Sequence, residues 1–116
     1  MEGKLFNLED RTLEFSKRIS CLCRSLPKDE VNIVYIKQLL RSGTSVGANY
    51  IEANEALSKK DFRHRMRIAR KEAKETSYWL KLIIDANFTF TQRVEPLLRE
   101  SKEIRNILSS IINKTS

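Results

Sequence analysis

The sequence predicts an all-α fold, an up-down-up-down antiparallel four-helix bundle, and three observations carry that expectation. The 116 residues include only three Gly and two Pro, too few for the many turns of a β-sandwich. Good helix formers (Leu, Glu, Lys, Arg and Ala) dominate. Apolar residues recur at spacings of three and four in four segments, the period of a helix with one buried stripe. The connections between them are short, roughly PKDE, LS and FTFTQR, which makes successive helices antiparallel neighbours. A single four-helix domain over residues 1–116 is expected, long enough for one packed core.

In the first helix Leu8, Thr12, Phe15, Ile19, Leu22 and Leu26 form the stripe. Asn7 is placed to cap it, Asp10 falls in its first turn, and Pro27 closes it. The second helix is expected from about Val31 to Ala56, with Ile36, Leu40, Gly43, Gly47, Tyr50 and Asn54 on one face. It contains RSGTSVGANYIEANE, and each glycine there costs roughly 0.5–1 kcal/mol relative to alanine in a helix interior. Gly43 and Gly47 make a face that a neighbouring helix can approach closely. Ser42, Ser45, Asn49, Ala53 and Ala56 make a second face that is also small or polar. Two close neighbours are therefore expected, with another subunit a candidate for one of them.

The third helix is expected to start after Ser58, an N-cap with Asp61 three residues on, and to reach about Asn87. Phe62, Met66, Ala69, Ala73, Leu80, Ile84 and Asn87 form its core stripe. The fourth is expected to begin near Val94 or Pro96, where proline is tolerated in a first turn. It carries Leu97, Ser101, Ile104, Leu108 and Ile111.

No apolar run approaches the roughly 20 residues of a membrane span. The N-terminus MEGKLFNLEDRTLEF has early acids and no apolar run of the kind a signal peptide needs. A cytoplasmic protein is expected. Cys21 and Cys23, two apart on a helix, face different ways and are read as small buried residues rather than a bridge or half a zinc site.

Charge is unevenly placed. Lys and Arg outnumber Asp and Glu by 22 to 15, and residues 1–58 balance, so the whole excess lies in the second half. Most of it belongs to the third helix, whose face Arg63, Arg67, Arg70, Lys74 and Lys81 holds no acid. Such a face points to an anionic partner. A further face of the same helix carries Ile68, Trp79, Leu82 and Ala86 beside Glu72 and Glu75. A monomeric helix should be apolar on one side only, so this second apolar face predicts burial against another chain and hence a homo-oligomer.

Two stretches, SGTSVGANYIEA and DFRHRMRIARKEAKETSYWLKLI, closely resemble the small bacterial four helix bundle proteins known as products of intervening sequences in large-subunit ribosomal RNA. That family's Ser-(Val/Ile)-x-Ala-Asn-x-x-Glu pattern falls on Ser45, Val46, Ala48, Asn49 and Glu52. Its Ile-Ala-x-x-Glu-Ala-x-Glu-Thr-x-x-Trp-Leu pattern falls on Ile68, Ala69, Glu72, Ala73, Glu75, Thr76, Trp79 and Leu80. The resemblance implies a bundle that assembles into a ring, typically a homopentamer. It also implies kinship with the accessory protein of diversity-generating retroelements, which binds nucleic acid through a basic surface and associates with a reverse transcriptase.

Resemblance and chemistry meet on Asn49, Glu52, Glu72 and Glu75, polar groups flanked by small or apolar residues. Acids are rarely buried without partners, and Arg41, Arg65 and Arg105 are candidates to pair with them across helices or subunits. With Gly43, Gly47 and Trp79, these residues are expected to form an oligomer interface or a buried polar network that fixes register. The rival is a di-metal carboxylate site, for which Glu52 with Glu55 and Glu72 with Glu75 have the spacing. The histidines are missing, since the single His64 sits between Arg63 and Arg65. There is no Gly-rich phosphate loop and no nucleophile with a base, so the sequence predicts no enzyme, no cofactor and no metal. Two readings remain: an oligomer that contacts RNA or DNA backbone through the basic face, extended by Lys59 and Lys60, and a homo-oligomeric scaffold with no nucleic-acid role. Tyr78 is the only ring beside the basic face.

Overall fold

The computed structural model describes residues 7–115. Its elements are α1 (Leu8–Ser25), α2 (Glu30–Asn54), α3 (Lys59–Ala86), a 3-10 turn over Phe88–Phe90, and α4 (Thr91–Lys114). The described residues hold four long helices and no strand. The reading of the N-terminus as free of a signal peptide rests partly on residues 1–6, which lie outside the described residues.

Local chemistry fixes three of the helix starts. Asn7 Oδ1 accepts the N–H groups of Glu9 and Asp10 at 2.9 and 3.2 Å. Asp29 accepts from Asn32 N–H at 2.8 Å, and Ser58 from Asp61 N–H at 3.0 Å. The fourth start differs from expectation. Helix α4 begins at Thr91 rather than near Val94 or Pro96, with no side-chain cap, because the Phe88–Phe90 turn feeds directly into it. Pro96 is carried inside the helix, where it lacks the N–H for one backbone bond and its ring crowds the carbonyl of the preceding turn.

Each helix packs against its sequence neighbour, and α1 also touches α4. Cross-helix bonds show the directions. Between α2 and α3, Asn32 pairs with Asn87, Ser42 with Thr76 and Asn49 with Arg65. Numbers rising on one helix and falling on the other mean antiparallel axes. Ser77 with Ser101 and Arg70 with Ser109 show the same for α3 and α4, as do Ser16 with Gly43 and Cys23 with Ile36 for α1 and α2. The long dimension of 44 Å is close to the length of α3 alone, about 1.5 Å for each of its 28 residues.

The whole α1 stripe is buried, with Phe15, Ile19 and Leu22 at most 1 % exposed. Leu39, Val46, Met66, Leu80, Ile83, Ile104 and Leu108 meet it in one core. Of the expected α3 stripe, Met66, Ala69, Ala73, Leu80 and Asn87 are buried, and Phe62 and Ile84 pack on the core's edge. Among the described residues no helix is long and apolar enough to cross a membrane. Of the two cysteines only Cys23 is buried, which pushes its thiol up to about 11. Cys21 is exposed, because a position two residues along a helix turns away from the core.

The small faces of α2 serve neighbours in the same chain. Gly43 lies against Ile19 and Gly47 against Thr12, both on α1. Ser42 lies against Thr76 of α3, where the two hydroxyls meet at 3.0 Å, and Ala53 is buried as well. Leu40, expected on the glycine face, is exposed.

Candidate nucleic-acid interface

Helix α3 packs against both α2 and α4, and each side of it has distinct chemistry. Toward α2 it presents Glu72, Glu75 and Trp79. Arg41 of α2 donates to Glu72 Oε1 at 3.2 Å and forms an ion pair with Glu75. The Trp79 indole N–H donates to Glu75 Oε2 at 3.1 Å. The Trp79 N–H, and then the Arg41 guanidinium, hold the Glu75 carboxyl below the usual carboxylate range. The ring of Trp79 is half-buried, 6.1 Å from that of Tyr35 on α2 and edge-on to Tyr78 at 5.1 Å.

The residues expected to form one interface or network therefore separate. Glu72, Glu75 and Trp79 join one cluster through Arg41, within the chain. Asn49 is held apart, donating to the Ser45 carbonyl at 2.9 Å and accepting from Arg65 at 3.4 Å. Glu52 is exposed on α2. Gly43 and Gly47 face α1 and belong to neither group. Of the candidate arginines, Arg41 and Arg65 find the expected kind of partner within the chain, while Arg105 donates to the adjacent Asn106.

On the outward side of α3 the basic residues divide into two places. Arg63 and Arg67 border a hollow of about 280 Å³ with Lys59, Lys60 and Thr115. Lys74 and Lys81 line a larger groove between α3 and α4, of about 460 Å³. Lys71 and Tyr78 join them from α3, and Lys102 and Arg105 face them from α4. Arg70 turns toward α4, donating to Ser109 Oγ at 3.5 Å. The groove thus holds five cations, and its acid Glu75 is already engaged by Arg41 and Trp79.

Sequence reasoning left Lys71 and Lys102 out and gave Arg105 a different role. The i, i+3 spacing of Lys102 and Arg105 was visible, but not which part of α3 they would oppose. In that register the buried hydroxyls of Ser77 and Ser101 meet at 2.6 Å.

These features place the chain among small proteins of four long antiparallel helices with one strongly basic flank. More narrowly, the family model described as 23S rRNA-intervening sequence protein matches residues 6–110, and the chain belongs to that family. A crystal structure of a protein from Bacteroides thetaiotaomicron VPI-5482, described as of unknown function and from the S23 ribosomal protein family, superposes with a TM-score of 0.83. The two sequences are 44% identical, and the match covers 90% of this chain and 96% of the other. No curated protein matches the chain.

Proposed function

We propose that this protein is a non-enzymatic, homo-oligomeric binding protein of the cytoplasm that holds RNA or DNA by its phosphate backbone, along the basic flank of α3. The observation that carries this reading is the 460 Å³ groove, where Lys74 and Lys81 of the acid-free stripe are joined by Lys71, Lys102 and Arg105. Cations converging from two helices on one hollow raise the local potential more than the same charges spread over a surface. Arg63 and Arg67 extend the track toward the start of α3. Contacts of this kind position a backbone without reading bases, so binding is sequence-tolerant.

The test is the salt dependence of binding. For single-stranded RNA, five engaged side chains should give a slope of log K against log salt of roughly −3 to −4. Changing Lys74, Lys81 and Lys102 to Gln keeps helix propensity nearly level. That variant should bind every sequence more weakly and flatten the slope by about two. A wild type that binds no nucleic acid at low salt, or a variant that binds as well as wild type, rejects this reading.

Exposed apolar residues on α2 support assembly into a homo-oligomer, and the number five rests on the family resemblance alone. Ile33, Leu40 and Ile51 are exposed on α2, with Ala48 between the last two. Large apolar groups in a row on one helix mark an interaction surface, here for further copies of the chain. Leu40→Lys with Ile51→Lys should shift sedimentation equilibrium from a closed oligomer toward monomer, and a wild type that is monomeric at micromolar concentration rejects the oligomer. If assembly holds while nucleic-acid binding fails, the scaffold reading takes its place. A protein partner such as a reverse transcriptase would then be the ligand to seek.

A further inference from the structure

We propose that the groove between α3 and α4 is a single-strand site, in which Tyr78 stacks on an unpaired base while the cations around it hold the adjoining phosphates. This rests on the nucleic-acid reading and adds to it the strandedness of the ligand and the residue that selects it.

Tyr78 is 57% exposed, on a row of α3 otherwise occupied by Lys71, Lys74 and Lys81. An exposed ring amid cations combines the two elements that single-strand sites use, a stacking surface and an electrostatic track. The placement is regular. Lys74 and Lys81 lie about one turn before and one turn after Tyr78, about 10 Å apart along the axis. Lys102 and Arg105 line the opposite wall.

The ring has an anchored neighbour. Its contact with Trp79 is edge-on at 5.1 Å, and Trp79 is anchored through its N–H to Glu75, itself paired with Arg41. An edge-on contact leaves the faces of the Tyr78 ring for a base to stack on. The same chain of contacts pairs Glu75, the one acid on the groove wall, with Arg41, although Glu75 also attracts Lys71, so the cations still outnumber it five to one.

Size points the same way. The groove's 460 Å³ falls in the range of roughly 300–1,000 Å³ typical of small-ligand sites. It can admit one base and its phosphate. In a duplex the faces of the bases are covered by their neighbours, and only a strand with unstacked bases can offer one to Tyr78.

The experiment measures fluorescence anisotropy of the full chain with a short oligoadenylate, a blunt-ended RNA duplex of equal phosphate count, and inorganic polyphosphate. Tyr78→Leu should weaken oligoadenylate binding about tenfold, the effect of removing one stacking ring. Duplex and polyphosphate binding should stay within about twofold, because neither offers an unpaired base to the ring. Tyr78→Phe, which keeps the ring, should bind oligoadenylate as wild type does. Unchanged oligoadenylate binding by Tyr78→Leu overturns the inference, as does an equal loss for all three ligands. The Lys74, Lys81 and Lys102 to Gln variant separates the two levels. If it lowers binding of all three while Tyr78→Leu changes nothing, only strand selection falls. If wild type binds neither RNA, the nucleic-acid reading falls with it.

Discussion

Gly47→Leu should destabilise the fold by about 3 kcal/mol or more and lower the melting temperature by roughly 10 °C or more. A Cβ alone at this position would stand 2.9 Å from Thr12 Oγ1 and 3.1 Å from Thr12 Cβ. Thr12 has little room to yield. It is 1% exposed, it is stiff at χ1, and its hydroxyl donates to the Glu9 carbonyl at 3.0 Å. Removing a helical glycine gains about 1 kcal/mol of propensity, too little to offset wedging α1 and α2 apart. The smaller Gly47→Ala should be rescued in part by Thr12→Ala, which removes the opposing hydroxyl and methyl. Thermal unfolding followed by circular dichroism reads all three. A Gly47→Leu protein that melts within a few degrees of wild type would show that the small residues are incidental to this crossing.

The glycine pattern shows what the sequence made legible and where it stopped. The four-residue repeat of Gly43 and Gly47 revealed that another helix comes close, but periodicity has no term for which one. A second chain and α1 are equivalent answers until the register of Thr12 and Ile19 is known. Trp79 is the same case. Its face looked surplus to a monomer, and within the chain the ring of Tyr35 and the Glu75 carboxylate cover it in part, leaving Ile68, Trp79 and Leu82 half-buried and Ala86 exposed. Caps and stripes were readable because they depend on residues within one turn or one helix. Asn7, Ser58 and the α1 stripe needed no knowledge of neighbours. Helix α4 was misplaced at its start because its cap position is Phe90, which makes no capping bond, and Pro96 suggested a first turn that in fact lies further upstream. The basic flank was half legible. Its α3 residues share a helix face, while Lys102 and Arg105 join them only through the α3–α4 register.

Asn32→Ala should cost about 3 kcal/mol, although no sequence pattern singles this residue out. Asn32 is 1% exposed and Asn87 is 8% exposed, and their amides exchange two hydrogen bonds, at 2.7 and 2.9 Å. Asn32 also donates to the Pro27 carbonyl at 2.9 Å, tying the α1–α2 connection to the end of α3. Truncation removes all three bonds and strands Asn87 Oδ1 in a buried place. A net bond contributes about 0.5–1.5 kcal/mol, and a buried group left without a partner costs about 1–3 kcal/mol, so the second term dominates. The loss should therefore depend on what faces Asn87. Asn32→Leu and Asn87→Leu should each be strongly destabilising alone. Together they should cost less than the sum of the two, by about 1–2 kcal/mol, because no unpaired amide remains. Urea unfolding of the four proteins in that cycle gives the coupling directly. Additive costs would mean that the two amides act independently, each held by its backbone bonds to Pro27 or Ile83, and that their mutual pairing contributes nothing to joining α2 and α3.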